Sequence, residues 1–227
     1  MNRVSEVVVL IHGLYMNGLA MRLLAKRLRR VGYQTSIFSY PSVRRGPLDN
    51  AYALAQCLET LNAPVVHFVA HSLGGIVVWY LFHCFPDLPP GRVVTLGTPY
   101  RGNYTARTLH SRGWGFLLGR SGEQELLQGL DAWKVERELG SLAGTLNLGL
   151  GRLLAKSTAV GDGTVAVEET RLEGMTDHIC LPVSHTGMLF APAVAAQVCV
   201  FLATGRFKHS SLSEGLSLSA SHHERKC

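Results

Sequence analysis

Residues 64–85 constrain the fold of this chain more than any other stretch. Pro64-Val65-Val66-His67-Phe68-Val69 reads as a short buried strand, residues 75–85 read as an apolar run of helical length, and Ala70-His71-Ser72-Leu73-Gly74-Gly75 joins the two. A strand that passes into a helix through so few residues must turn sharply, which crowds backbone against backbone. Positions 70 and 74 must then be nearly free of side chain, as Ala70 and Gly74 are. Such a turn presents the Ser72 hydroxyl at the end of a strand, where it is a candidate nucleophile. The usual pattern is G-x-S-x-G; Ala70 stands in place of the first glycine, and its Cβ tightens the turn slightly.

The rest of the chain supplies the sheet that this turn needs. Residues 4–11 are a continuous Val/Leu/Ile-rich run, as expected of a strand covered on both faces. Residues 18–31 carry Leu19, Leu23, Leu24 and Leu28 at helical period, with basic residues opposite. Residues 34–38 read as a strand, 48–61 as a helix and 92–96 as a further strand, after Pro86, Pro89 and Pro90 have ended the elbow helix. This alternation predicts an α/β fold with a doubly wound, mainly parallel sheet. Ligands of such sheets sit beyond the carboxyl ends of the strands, and Ser72 lies just past one of them.

Residues 100–156 break the pattern, with many Gly and Leu residues, no clear strand and a helix expected over 123–139. They read as an inserted helical cap within a domain spanning residues 1–207. Strand signals return at 157–160, 165–167 and 176–183, and a helix over 191–203 closes the domain. Residues 208–227, rich in Ser, His and charge, are expected to form a disordered tail.

Composition bounds the class of function. With 227 residues, 47% of them hydrophobic and 17% charged, the chain can bury a sizeable core. The formal charge of +6 is modest, and no basic stripe interleaved with aromatics marks a nucleic-acid groove. Arg22, Lys26, Arg27, Arg29 and Arg30 gather on one helix and read as its solvated face. Transient contact with an anionic membrane surface stays open. Cys57, Cys84, Cys180, Cys199 and Cys227 show no C-x-x-C spacing, and an odd count without a framework points to a reducing compartment. The first residues lead directly into a strand without a signal-peptide pattern, and no apolar run can span a bilayer, so the expected location is cytoplasmic.

A serine hydroxyl needs a base to take its proton, and the base needs an orienting acid. In this kind of fold they follow in the order serine, acid, histidine. Asp162, in Val160-Gly161-Asp162-Gly163-Thr164, has flanking glycines that free the backbone to aim a short carboxylate; Asp177, inside a strand signal, is its rival. His185 stands on a loop after the last strand and is the candidate base, whereas His178 lies within that strand, His110 in the cap, and His209, His222 and His223 in the tail. An oxyanion needs two backbone donors. The Leu73 amide at the helix start is one, and the Leu14 amide, from His12-Gly13-Leu14 at the end of the first strand, is the other. His12 reads as a brace for that loop. In the cap, Trp114, Phe116 and Leu118 are candidates to line an acyl pocket or face a membrane, with internal packing as the alternative. No metal-ligand spacing, phosphate-cradling loop or dinucleotide fingerprint occurs, so neither metal nor cofactor is expected.

The segments VVLIHGLYMNG, VAHSLGGIV, TLGTPYRG, GDGTVAVEET and LPVSHTGML, in this order, together resemble an α/β-hydrolase of the bacterial lipase and esterase group. The resemblance implies Ser72 as nucleophile, Asp162 as acid, His185 as base, and the Leu14 and Leu73 amides as oxyanion hole. It also implies a carboxylic-ester hydrolase working through an acyl-enzyme on a small-molecule or lipid-like ester. The A-x-S-x-G turn is similar to that of some small bacterial lipases. Acyl transfer or thioester cleavage would use the same groups, and a catalytically silent fold serving as a binding module is a third reading. The cap resembles no segment of the group, and substrate choice is expected to reside there.

Overall fold

The first strand, β1 (Glu6–Ile11), sorts its side chains between two cores: Val7, Val9 and Ile11 enter one cluster, Val8 and Leu10 the other. The computed structural model describes residues 6–61, 63–120, 123–148 and 159–209. Beside β1 lie β2 (Gln34–Phe38), β3 (Val65–His71), β4 (Val93–Leu96), β5 (Leu139–Gly144) and β6 (Asp177–Leu181). Their order is β2-β1-β3-β4-β5-β6, and each neighbouring pair is parallel.

Parallel neighbours need crossovers, and the helices provide them. On one face, α1 (Arg22–Arg30) contributes Leu24, Ala25 and Leu28, and α6 (Pro192–Thr204) contributes Val194, Val198 and Phe201. On the other, α2 (Pro47–Glu59) buries Ala51, Leu54 and Leu58, and α3 (Leu73–Cys84) buries Val77, Val78, Leu81 and Phe82. The chain leaves β1 for β2 on one side and returns to β3 on the other. Strand order thus reverses between β1 and β3, which opens a crevice at their carboxyl ends.

The stretch 100–156 departs from its expectation. Two helices, α4 (Tyr104–Ser111) and α5 (Glu123–Gln128), with a 3₁₀ turn at Gly115–Leu118, do cover α3: Ala106, Leu109, Leu118 and Leu126 pack on Leu73 and Ile76. The expected helix over 123–139 stops at Gln128, however, and 139–144 is β5, a wholly buried strand of the sheet. Its Leu-Gly-Ser-Leu-Ala-Gly sequence has no β-branched residue, because close neighbours demand small ones. A Cβ on Gly140 would lie 2.5 Å from the Phe201 ring, and one on Gly144 would lie 2.7 Å from Asp162 Cβ. The irregular run between α5 and β5 is pinned by Arg137, whose guanidinium donates to the carbonyls of Val66, Leu88, Pro89 and Gly91 and rests 4.3 Å from the Phe82 ring.

Residues 159–160 and 165–167 form no strand: a single antiparallel bridge joins Gly161 to Ala166, and Val167–Thr170 is a 3₁₀ turn. Residues 149–158 and 210–227, with most of the expected tail, His222, His223 and Cys227, lie outside the described residues. Among the described residues, Cys57, Cys84, Cys180 and Cys199 are free thiols, and no helix is long and apolar enough to cross a membrane.

Candidate active site

Ser72 joins β3 to α3 with φ +53° and ψ −123°. A positive φ outside glycine is rare and costs on the order of 1–3 kcal/mol, so the surroundings must impose it. They do so through backbone hydrogen bonds. The Ser72 amide donates to the Leu96 carbonyl (2.8 Å), and the Ser72 carbonyl accepts from the Gly75 amide (3.0 Å) and the Thr98 hydroxyl (2.9 Å). At Gly74 a Cβ would stand 2.7 Å from the His12 carbonyl oxygen and 2.9 Å from that of Ile11. Ala70 is fully buried in register with Ile11 and Thr95. The helix starts at Leu73, whose amide is among the first-turn groups that have no acceptor within the helix.

Asp162 and His185 meet at two levels. Asp162 Oδ2 lies 2.7 Å from His185 Nδ1, and the Asp162 carbonyl accepts the His185 amide at 2.9 Å. The other carboxylate oxygen accepts the amides of Thr164 (2.9 Å) and Val165 (2.7 Å), so the side chain is aimed by its own loop. Asp162 is fully buried and His185 nearly so. Gly97, at φ +61°, makes room for the pair: a Cβ there would lie 3.0 Å from Asp162 Oδ2 and 3.1 Å from His185 Nδ1. The rival Asp177 opens β6 at the end away from His185, and accepts the amides of His178 and Phe207 and an imidazole hydrogen bond with His209. His178 meets the Thr170 hydroxyl, and burial pushes its pKa down to about 4.

The loop after β1 leans on the Ser72 turn, with a Cβ on Gly13 falling 3.0 Å from Ser72 Cβ. Behind it, His12 Nδ1 donates to the Gly13 carbonyl (2.9 Å) and Nε2 accepts the Tyr40 amide (3.2 Å). The Tyr40 hydroxyl returns to the His12 carbonyl at 2.8 Å, and the two rings stack. Burial lowers the His12 pKa, so a neutral ring with both nitrogens occupied braces the loop. The Leu14 side chain packs against the cluster of Leu73, Ile76 and the cap residues, and the Tyr15 hydroxyl donates to the Leu117 carbonyl. The cap candidates divide: Leu118 is buried on α3, whereas Trp114 and Phe116 are 46% and 76% exposed.

Sequence reasoning missed a network that joins the cap to the Asp162 loop. The buried Glu169 carboxylate accepts the Tyr104 amide (2.5 Å), the Ala166 amide (2.9 Å) and Asn103 Nδ2 (3.0 Å). Asn103 also donates to the Thr164 carbonyl (3.0 Å) and caps α4 by accepting the Ala106 amide (2.9 Å). Burial raises the Glu169 pKa, against the pull of these donors and Arg107. An asparagine before a helical run is a readable N-cap signal; Glu169 carried none. Among the described residues, no group of three His, Cys, Asp or Glu side chains is placed to hold a metal ion.

Together these placements put Ser72, the 12–14 loop and the Asp162–His185 pair at the carboxyl ends of the strands. The model of the alpha/beta hydrolase family matches residues 8–205. The chain belongs to the alpha/beta hydrolase family. No curated protein matches it. Among solved structures it is similar to the mature lipase BlEst2 of Bacillus licheniformis, with a TM-score of 0.71 and 21% identity over 90% of this chain and 93% of that one. It is also similar to the metagenomic carboxyl esterase MGS0156 (TM-score 0.66, 19% identity, 82% of this chain and 66% of that one). A third likeness is to the carboxylesterase CesB of Bacillus subtilis (TM-score 0.58, 11% identity, 89% and 85%). At these identities what is shared is the alpha/beta hydrolase fold.

Proposed function

We propose that this alpha/beta hydrolase is a serine-dependent carboxylic-ester hydrolase with Ser72 as nucleophile, His185 as base and Asp162 as the acid that orients it. The buried 2.7 Å contact between His185 Nδ1 and Asp162 Oδ2, at the strand ends where Ser72 is presented, carries this reading. Ser72 Oγ attacks the acyl carbonyl carbon while His185 Nε2 takes its proton. Asp162, fixed by the Thr164 and Val165 amides, holds Nδ1–H and offsets the charge of the imidazolium. The amides of Leu73 and Leu14 receive the oxyanion. Collapse of the tetrahedral intermediate breaks the ester C–O bond, and the alcohol leaves with the proton from His185. Water, deprotonated by His185, then releases the acid and restores Ser72.

A lipid-like acyl group suits the exposed apolar side chains of Tyr15, Trp114, Phe116 and Leu117, of which Tyr15 follows Leu14 directly and is hydrogen-bonded to the Leu117 carbonyl. The test is labelling by a fluorophosphonate together with turnover of p-nitrophenyl esters of graded chain length. We expect labelling at Ser72, a preference for longer acyl chains, and a loss on the order of 10⁶ in kcat for Ser72→Ala. Normal turnover by that variant would falsify the nucleophile assignment. Thioesters and alcohol acceptors in the same panel separate hydrolysis of oxygen esters from thioester cleavage and acyl transfer.

A further inference from the structure

His71 stands immediately before the proposed nucleophile and takes no part in the steps above. It is the last residue of β3, fully buried, with its ring centroid 4.7 Å from that of His185. Its Nε2 lies 3.0 Å from the His185 carbonyl oxygen. A carbonyl only accepts, so Nε2 carries the hydrogen and, in the neutral ring, Nδ1 is a bare acceptor. That Nδ1 is buried without a hydrogen-bond partner and faces the loop after β1, where a Cβ on Gly13 would come within 2.9 Å of it.

A bare buried acceptor is costly, and an apolar side chain of similar shape would avoid that cost. Its presence needs a reason, and the other nitrogen supplies one. Burial, with His185 and His12 adding to it, pushes the His71 pKa down to about 3, so the ring is neutral at pH 7. What the ring does offer is a donor of fixed direction.

We propose that His71 is a positioning residue: its Nε2–H, donated to the His185 carbonyl, ties the loop that carries the base to the strand that carries the nucleophile. The catalytic consequence rests on the ester-hydrolase reading. Two other hydrogen bonds hold His185, through its amide and its Nδ1, and both run to Asp162. These align the base with the acid. The His71 bond reaches β3 itself, one residue from Ser72, and so aligns the base with the hydroxyl it must deprotonate. A misplacement of about 1 Å between reacting groups costs on the order of 10²-fold in rate.

Two variants separate the donor from the shape. His71→Gln places an amide nitrogen as many bonds from Cα as Nε2, whereas His71→Phe keeps a flat ring and loses the donor. With p-nitrophenyl butyrate as substrate and Ser72→Ala as blank, His71→Phe is expected to lower kcat about 10- to 100-fold with KM little changed. His71→Gln is expected to recover most of that loss. Long-range ¹H–¹⁵N spectra of the wild-type imidazoles give a readout independent of activity and of how the variants fold. They should show His71 as the Nε2–H tautomer, neutral from about pH 8 to pH 5. An Nδ1–H tautomer, a His71 ring titrating in that range, wild-type kcat in His71→Phe, or a Gln variant as slow as the Phe variant would each overturn the proposal. A wild-type protein that neither hydrolyses esters nor takes the fluorophosphonate sinks the ester-hydrolase reading instead, while the tautomer spectrum still decides the tie.

Discussion

At Gly74 a single methyl group decides whether the sharp turn at Ser72 can form. Its Cβ would meet two backbone carbonyl oxygens, those of His12 and Ile11, and neither can move without disturbing β1. Gly74→Ala is therefore expected to destabilise the protein by about 1–3 kcal/mol, as overpacking of a tight interior does. Thermal unfolding should show a fall of several degrees, with fluorophosphonate labelling weakened in parallel. Ala70→Gly is the contrasting change, since the site already holds a methyl group without conflict. It should cost only about 0.5–1 kcal/mol from added chain freedom and leave labelling intact. The requirement for small residues on both sides of Ser72 was legible in the sequence because it is local sterics. The service of Gly97 to the Asp162–His185 pair was not, because it arises between segments far apart in the chain.

Among the elements, the junction of α4 with the Asp162 loop depends on Asn103 and Glu169. Asn103 caps the helix with its carbonyl oxygen and holds Thr164 and Glu169 with its amide hydrogens. Asn103→Ala removes all three contacts and leaves the buried Glu169 carboxylate short of a donor. The loss of the cap alone is worth about 1 kcal/mol. Urea unfolding should show at least that decrease, and kcat should fall more than KM changes, because the Thr164 amide also aims Asp162. Most elements were legible, α1 from its helical period and α3 from its apolar run: β2 and the helices around α1, α2, α3 and α6 lie within a few residues of where the sequence puts them. Strand β5 was not, because the closeness of Phe201 and Asp162 selects Gly140 and Gly144, whose propensities speak against a strand.

For the whole molecule, buried histidines predict acid sensitivity. His71 and His178 have pKa values pushed down by burial to about 3 and about 4, and burial also lowers those of His12 and His67 from the ordinary 6.5. As pH falls through 6.5 the unfolded chain takes up protons that the folded protein refuses. Stability from these rings is complete above that pH and is lost progressively as pH falls toward 4 and 3, by at most about 1.4 kcal/mol per ring for each pH unit. Glu169, with its pKa raised by burial, acts in the opposite sense and softens the lower part of the decline. Urea midpoints measured at about pH 8, 7, 6 and 5 should be flat over the first step and fall thereafter. A flat series down to pH 5 would show that these rings ionise freely in the fold.

By itself the sequence determined the alternation of strands and helices, the sharp turn at Ser72 and the order in which candidate partners follow it. These are short-range properties, set by side-chain period and by the steric demands of one turn. Tertiary structure decided which aspartate lies against His185, which small residues form the strand beside it, and how the cap is fastened to the Asp162 loop. Each of these depends on groups distant in sequence, such as Asp162 and His185 or Asn103 and Glu169, whose meeting no local pattern encodes. The same holds for His71: its place beside Ser72 was visible in the chain, but only the packed sheet and loops brought its Nε2–H to the His185 carbonyl.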